Sequence, residues 1–167
     1  MYKKGSKSGK DRPLQPAKIY ILRLLSRREH SAKELRSRLK LKGYAAEDIE
    51  HALMLMQSHN FQSDERFAEM TVRTAGRRTG NRSMQAKLAE SGVDPEISAA
   101  KLAELAPEAE RARDLVERFE GKILDAPMRS KIWRFLIYRG FSPNSIKQAL
   151  AHLAEKTNQK LEDEDDF

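Results

Sequence analysis

The 167-residue sequence contains no cysteine, which removes disulfides, thiolate nucleophiles and thiolate metal ligands together. That absence fits a reducing compartment, and a cytoplasmic location is expected. No apolar run approaches the roughly 18 residues of a membrane-spanning helix. The basic N-terminus is followed by no apolar segment of the kind a secretory signal needs. Neither export nor a membrane partner is therefore expected. Aromatic residues make up only 7% of the chain and β-branched residues are sparse, leaving little material for strands. Catalytic patterns are missing as well. His30, His51, His59 and His152 do not pair with carboxylates on one helix face, and no H-E-x-x-H, G-x-S-x-G or P-loop pattern occurs. No enzymatic activity, cofactor or metal site is expected.

Charge is what the sequence has in quantity: 34% of residues are Asp, Glu, Lys or Arg, with a formal net charge of +7. The excess is uneven. Residues 1–46 hold fourteen Lys or Arg against Asp11, Glu29 and Glu34, whereas residues 162–166 are an unbroken acidic run. A basic end of this kind suits a polyanion or an acidic protein surface.

Three stretches share one pattern, beginning at Leu39, Leu88 and Leu136. Each has a leucine four residues before a glycine, then an apolar residue, a polar step and an isoleucine, and Gly43, Gly92 and Gly140 lie 49 and 48 residues apart. Such a period indicates one supersecondary unit used several times. Glycine after a helical pattern closes the helix in the left-handed conformation, so each glycine marks a helix end. New starts follow. Ser142 and Pro143 supply a cap and first position with Phe141 and Ile146 as a staple, Asp94 and Pro95 do the same without the staple spacing, and Ala45 offers no capping side chain. Ile49, Ala52, Leu53 and Met56 then match Ile146, Ala149, Leu150 and Leu153 at the spacing of one buried helical face.

The chain thus reads as all-α, with three tandem three-helix, helix-turn-helix-like repeats expected to form an elongated, curved array. Residues 1–16, rich in Lys, Gly, Ser and Pro, read as a disordered basic arm. Residues 17–60 form the first repeat, with a helix over 17–28 and a Ser31/Glu34 capping box before Leu35 and Leu39. Residues 61–106 form the second, where 76–83 (GRRTGNRS) reads as a loop too polar for a core. Residues 107–155 form the third, opened by Pro107 at a first helical position, and Trp133 is expected at a boundary between repeats. Residues 156–167 read as a frayed acidic tail.

The segments LLSRREHSAKELRSRLKLKGY (24–44), SDERFAE (63–69), GNRSMQAKLAESGV (80–93) and FLIYRGFS (135–142) resemble motifs of the RecX family of regulatory proteins. The likeness runs from about Ala17 to Leu153. Lys87 departs from it, standing where members usually place a glutamate, and the second repeat is one residue short between Gly92 and Ile97. The resemblance implies a non-enzymatic regulator of recombination and DNA repair that binds RecA and the RecA–DNA filament. It would inhibit filament extension, ATP hydrolysis, strand exchange and coprotease activity, with no cofactor. No fixed contact residue transfers from the family. From this sequence, Arg27, Arg28, Lys33, Arg36, Lys40, Arg73, Arg77, Arg78, Arg82 and Lys87 are the candidates for pairing with phosphate and carboxylate. Weak binding to single- or double-stranded DNA and a monomeric state are expected. The alternative is a free-standing nucleic-acid-binding helical repeat protein.

Overall fold

The computed structural model describes residues 15–165, with side chains through residue 159. Nine α-helices and no strand occur among the described residues: α1 (Ala17–Leu25), α2 (Ala32–Lys42), α3 (Ala46–Ser58), α4 (Asp64–Ala75), α5 (Asn81–Glu90), α6 (Pro95–Ala103), α7 (Glu108–Val116), α8 (Ala126–Tyr138) and α9 (Pro143–Asp165). Short 3-10 turns follow α4 (Gly76–Arg78) and α7 (Glu117–Phe119). The chain divides into two compact units after Ser63, the first holding α1–α3 and the second α4–α9.

In the first unit, Ile21, Leu35, Leu39, Ile49, Leu53 and Met56 close one core from three helices. Leu35 and Leu39 are one helical turn apart and fully buried, so truncating either to alanine would cost roughly 3 kcal/mol. Ser31 caps α2 by accepting from Glu34 N (3.1 Å). Gly43 ends α2 at φ 88° with open space around its Cα, so glycine is required there by backbone conformation alone. α3 starts from Ala45 with no side-chain cap, as its sequence implied. Instead, Tyr44 tilts against Tyr20 (6.1 Å between centroids) and donates its hydroxyl to Gln15 O (2.8 Å). Gln15 and Pro16 thus belong to the fold; the rest of the proposed basic arm, residues 1–14, lies outside the described residues.

Several boundaries differ from the sequence reading. α1 stops at Leu25 rather than near Arg28, because Ser26 Oγ turns back onto Arg23 O (3.0 Å) and no apolar residue follows to be buried. Pro107 is the residue before α7, not its first. α9 continues past Glu155 to Asp165. Nothing in its sequence stops it. Thr157 bonds Leu153 O (2.8 Å), while Lys156 reaches Glu117 (3.3 Å) and Glu120 (3.7 Å) on the preceding turn. Trp133 packs half-buried against the third bundle's own core.

The second unit contains two apolar cores. Phe67, Val72, Met84, Leu88 and Leu102 fill that of α4–α6, and Val116, Ile132, Leu136, Phe141, Ile146 and Leu153 that of α7–α9. A polar junction joins them, and residues 76–83 form its centre. This stretch is not the outer loop its composition indicated. Gly76 and Gly80 are buried, and Arg82 already belongs to α5. Arg111 on α7, only 3% exposed, reaches under the turn. Its Nε donates to Ala106 O (2.9 Å), one terminal nitrogen donates to Gly76 O (2.5 Å) and Thr79 O (2.7 Å), and the other donates to Asn81 Oδ1. Glu108, one turn earlier, accepts from Asn81 N (2.7 Å), Ser142 N (3.2 Å) and Ser145 Oγ (2.8 Å). One carboxylate thus caps α5 and α9 from the first position of α7, where three positive helix ends converge. Burial alone would push the Glu108 carboxyl up; hydrogen bonds from Ser142, Asn81 and Ser145 outweigh burial and hold it below the usual carboxylate range.

The junction closes by direct backbone contact. Gly80 N donates to Arg139 O (2.8 Å) and Arg82 N to Gly140 O (3.2 Å), so the start of α5 meets the end of α8 and each satisfies the other's unpaired groups. A Cβ at Gly80 would overlap the carbonyl of Gly140 and the nitrogen of Phe141. Gly80→Ala should therefore destabilise the protein by roughly 3 kcal/mol, at the upper end for overpacking, because backbone rather than a flexible side chain must move. The check is urea denaturation, with Gly43→Ala as a control that strains φ without a clash. Glu108, with its pKa lowered by folding, stabilises fully above the ordinary glutamate pKa of about 4.3 and loses that contribution as pH falls through the lower folded value. Glu108→Gln should lower the melting temperature at pH 7 and flatten its fall below about pH 4.3. A wild-type-like pH profile in that variant would remove Glu108 from the acid transition.

Candidate functional site

The five candidates in the first unit lie in the turn after α1 and along α2. Because Leu35 and Leu39 face the core, Lys33, Arg36 and Lys40 are turned outward, and Arg27 is exposed in the turn after α1. They are not equivalent. Arg36 forks onto Glu50 of α3, Nε to Oε1 at 2.7 Å and Nη2 to Oε2 at 2.9 Å. That hydrogen bond holds the Glu50 carboxyl below its ordinary pKa, and the pair binds α2 to α3 rather than offering a free cation. Arg28 donates to Glu29 O (2.8 Å) and lies 3.1 Å from Glu34 Oε2, which also meets His30 Nδ1 at 2.8 Å, so His30, contrary to the sequence reading, does pair with a carboxylate four residues on. Burial pulls the His30 pKa down despite Glu34, so the ring is neutral at neutral pH. Its carbonyl accepts from Gln62 Nε2 (3.2 Å), making His30 a structural residue at the start of α2. Arg27, Lys33 and Lys40 have no carboxylate partner among the described residues.

The other five candidates cluster around α4 and α5. Arg73 ends α4, Arg77 and Arg78 stand on the 3-10 turn, Arg82 is in the first turn of α5 and Lys87 in its last. All five are exposed and none pairs with a carboxylate among the described residues. Their platform is rigid, since Arg111 holds Gly76 O and Thr79 O from beneath. Arg82 sits at the positive end of α5, which has no acidic residue in its first turn. The helix-end amides of Asn81 and Arg82 are already committed to Glu108 and Gly140. An anion here would meet guanidinium groups, not backbone.

Basic residues of the third bundle were missed. α8 carries exposed Arg129, Lys131 and Arg134 and no Asp or Glu, and Arg118 and Arg139 lie over the Phe135 ring. The middle helix of each bundle is thus the cationic one: α2 with five Lys or Arg against Glu34, α5 with Arg82 and Lys87 against Glu90, and α8 unopposed. α3, by contrast, carries Glu47, Asp48 and Glu50 without a Lys or Arg. The signal for α8 was readable as a thirteen-residue stretch without an acid. Arg111 also had one, since it stands 44 residues after Phe67 where Ala68 and Val72 recur as Ala112 and Val116, placing a charge at a core position. Among the described residues, no group of His, Asp or Glu is arranged to hold a metal ion, and no helix is long and apolar enough to cross a membrane.

Residues 17–53 match the family model of the first three-helix domain of RecX, and residues 107–150 that of the third. A regulatory protein RecX from Chromohalobacter salexigens is 38% identical over 139 residues, covering 81% of this chain and 91% of its own. Another from Herbaspirillum seropedicae is 39% identical over 140 residues, covering 83% and 91%. The crystal structure of RecX from Lactobacillus salivarius shares the fold, with a TM-score of 0.69 at 21% identity over 83% of this chain and 94% of that one. With the all-helical fold and likeness running from α1 into α9, the chain belongs to the RecX family of regulatory proteins.

Proposed function

We propose that this protein regulates recombination and DNA repair without catalysis, by binding RecA and its filament on DNA. It would lie along the filament groove and inhibit filament extension, ATP hydrolysis, strand exchange and coprotease activity, as a cytoplasmic monomer. The observation that carries this reading is the partition of charge: exposed cations without carboxylate partners gather on α2, α5, α8 and the turn before α5. A groove that presents phosphate beside acidic protein surface is a match for such helices, and many individually weak contacts would sum along it. Binding to naked DNA is expected to be weak, unselective and strongly salt-dependent.

The alternative, a free-standing reader of duplex DNA, meets a specific obstacle. A recognition helix works through its N-terminal residues in the major groove. The start of α5 is instead packed on Arg139 and Gly140, and α2 and α8 carry no Asn or Gln to address base edges.

Replacing Arg77, Arg78 and Arg82 together with alanine should raise the concentration needed to inhibit RecA-filament ATP hydrolysis by roughly tenfold, as three screened ion pairs of about 0.5 kcal/mol each imply. The melting temperature should not change, because all three side chains are exposed. A folded triple variant that inhibits like the wild type would take this turn out of the contact surface.

A further inference from the structure

Two guanidinium groups share one aromatic ring at the end of α8. Arg118 lies 4.2 Å and Arg139 3.9 Å from the centroid of Phe135. Arg118 is also 4.8 Å from the Phe119 ring, over which Lys122 sits at 5.5 Å, and the two rings meet edge to face at 6.2 Å. Among the described residues neither arginine forms an ion pair with a carboxylate. Like charges are therefore gathered here by cation–π attraction rather than by ion pairs. A guanidinium lying over a ring spends its face there and keeps its N–H edge for an acceptor. Next in sequence to Arg139, Tyr138 is 89% exposed and Ile137 42% exposed, so an aromatic face open to solvent adjoins the cations. The position is fixed from behind, because Arg139 O accepts from Gly80 N at the junction.

We propose that this end of α8 is a contact surface for single-stranded nucleic acid, with Arg118 and Arg139 holding backbone phosphates and Tyr138 stacking on an unpaired base. An exposed aromatic face beside cations suits single strands, whose bases are free to stack, and it is of no use against a closed duplex. An acidic protein surface would satisfy the arginines but leave Tyr138 in water. α8 carries no Asn or Gln, so sequence preference should be slight. The proposal rests on the filament reading above and deepens it by giving the single strand a place on the third bundle.

The test is fluorescence anisotropy of a labelled oligothymidine with the full chain at several salt concentrations. Tyr138→Ala should weaken binding about tenfold, as loss of one stacked base implies, and Tyr138→Phe should bind like the wild type. Tyr138→Ala should melt with the wild type because the side chain is exposed. Arg118→Ala combined with Arg139→Ala should make the log–log salt dependence shallower by about 1.4, for two phosphates on a single strand. Should that double variant unfold, the tyrosine pair still decides. Wild-type oligothymidine binding by Tyr138→Ala overturns the proposal. The same variants are titrated against RecA-filament ATP hydrolysis. Weaker oligothymidine binding with unchanged inhibition supports the proposal while counting against a single-strand contact in the filament reading. Unchanged oligothymidine binding with weaker inhibition overturns it in favour of an acidic protein surface.

Discussion

The second unit depends on two charged residues one turn apart on α7, the buried Arg111 and the half-buried Glu108. Arg111 distributes its donors among three carbonyls and an amide oxygen, and Glu108 collects donors from α5 and α9. In net free energy a buried guanidinium gains little over apolar residues of the same volume, because its charge had to leave water. What an apolar contact does not supply is direction. Each of these hydrogen bonds ends on a particular backbone group, so a slide of α7 along the turn, which an oily contact would absorb, would strand a buried guanidinium. Removing an acceptor from Arg111 is correspondingly costly, since a buried donor is then left unsatisfied.

Two of the carbonyls that satisfy Arg111, those of Gly76 and Thr79, belong to the turn that displays Arg77 and Arg78. Core architecture and surface chemistry are therefore coupled through the backbone of five residues. A flexible arginine-rich loop would lose backbone freedom on binding a phosphate; a turn already pinned at Gly76 and Thr79 loses only side-chain freedom. The use of two glycines follows from the same geometry. Gly80 lets the start of α5 approach Gly140, and Gly140 is needed both for its φ of 81° and for the space that Ser83 occupies against it.

Features governed by neighbours in sequence were legible. The glycines that end α2, α5 and α8, the caps at Ser31, Asp94 and Ser142, and the buried stripe of α3 all follow from interactions within a few residues. What escaped depended on partners distant in sequence. GRRTGNRS looks like a surface loop because its side chains are polar, and its arginines are indeed outside; its backbone is inside because Arg111, some 30 residues on, brings the donors that make burial tolerable. Two of the ten candidate cations, Arg28 and Arg36, changed meaning for the same reason in smaller form. Arg36 looked like its neighbours on α2 until Glu50, fourteen residues away, proved to hold it. The cluster on Phe135 joins Arg118 and Arg139 across twenty-one positions, beyond any helical periodicity.

Within the second unit, the rigid junction changes what the separate basic groups can do. Arg82 and Lys87 on α5, and Arg139 at the end of α8, stand on helices whose ends are hydrogen-bonded to one another. Two weak sites on a flexible tether face a broad distribution of separations, and most of those do not match a given ligand. Two sites at a fixed separation present one spacing at high effective concentration, which strengthens binding to a polyanion of matching repeat and weakens it to others. Selectivity for a regular, extended polyanion over a coiled one can thus arise without any group that reads a base.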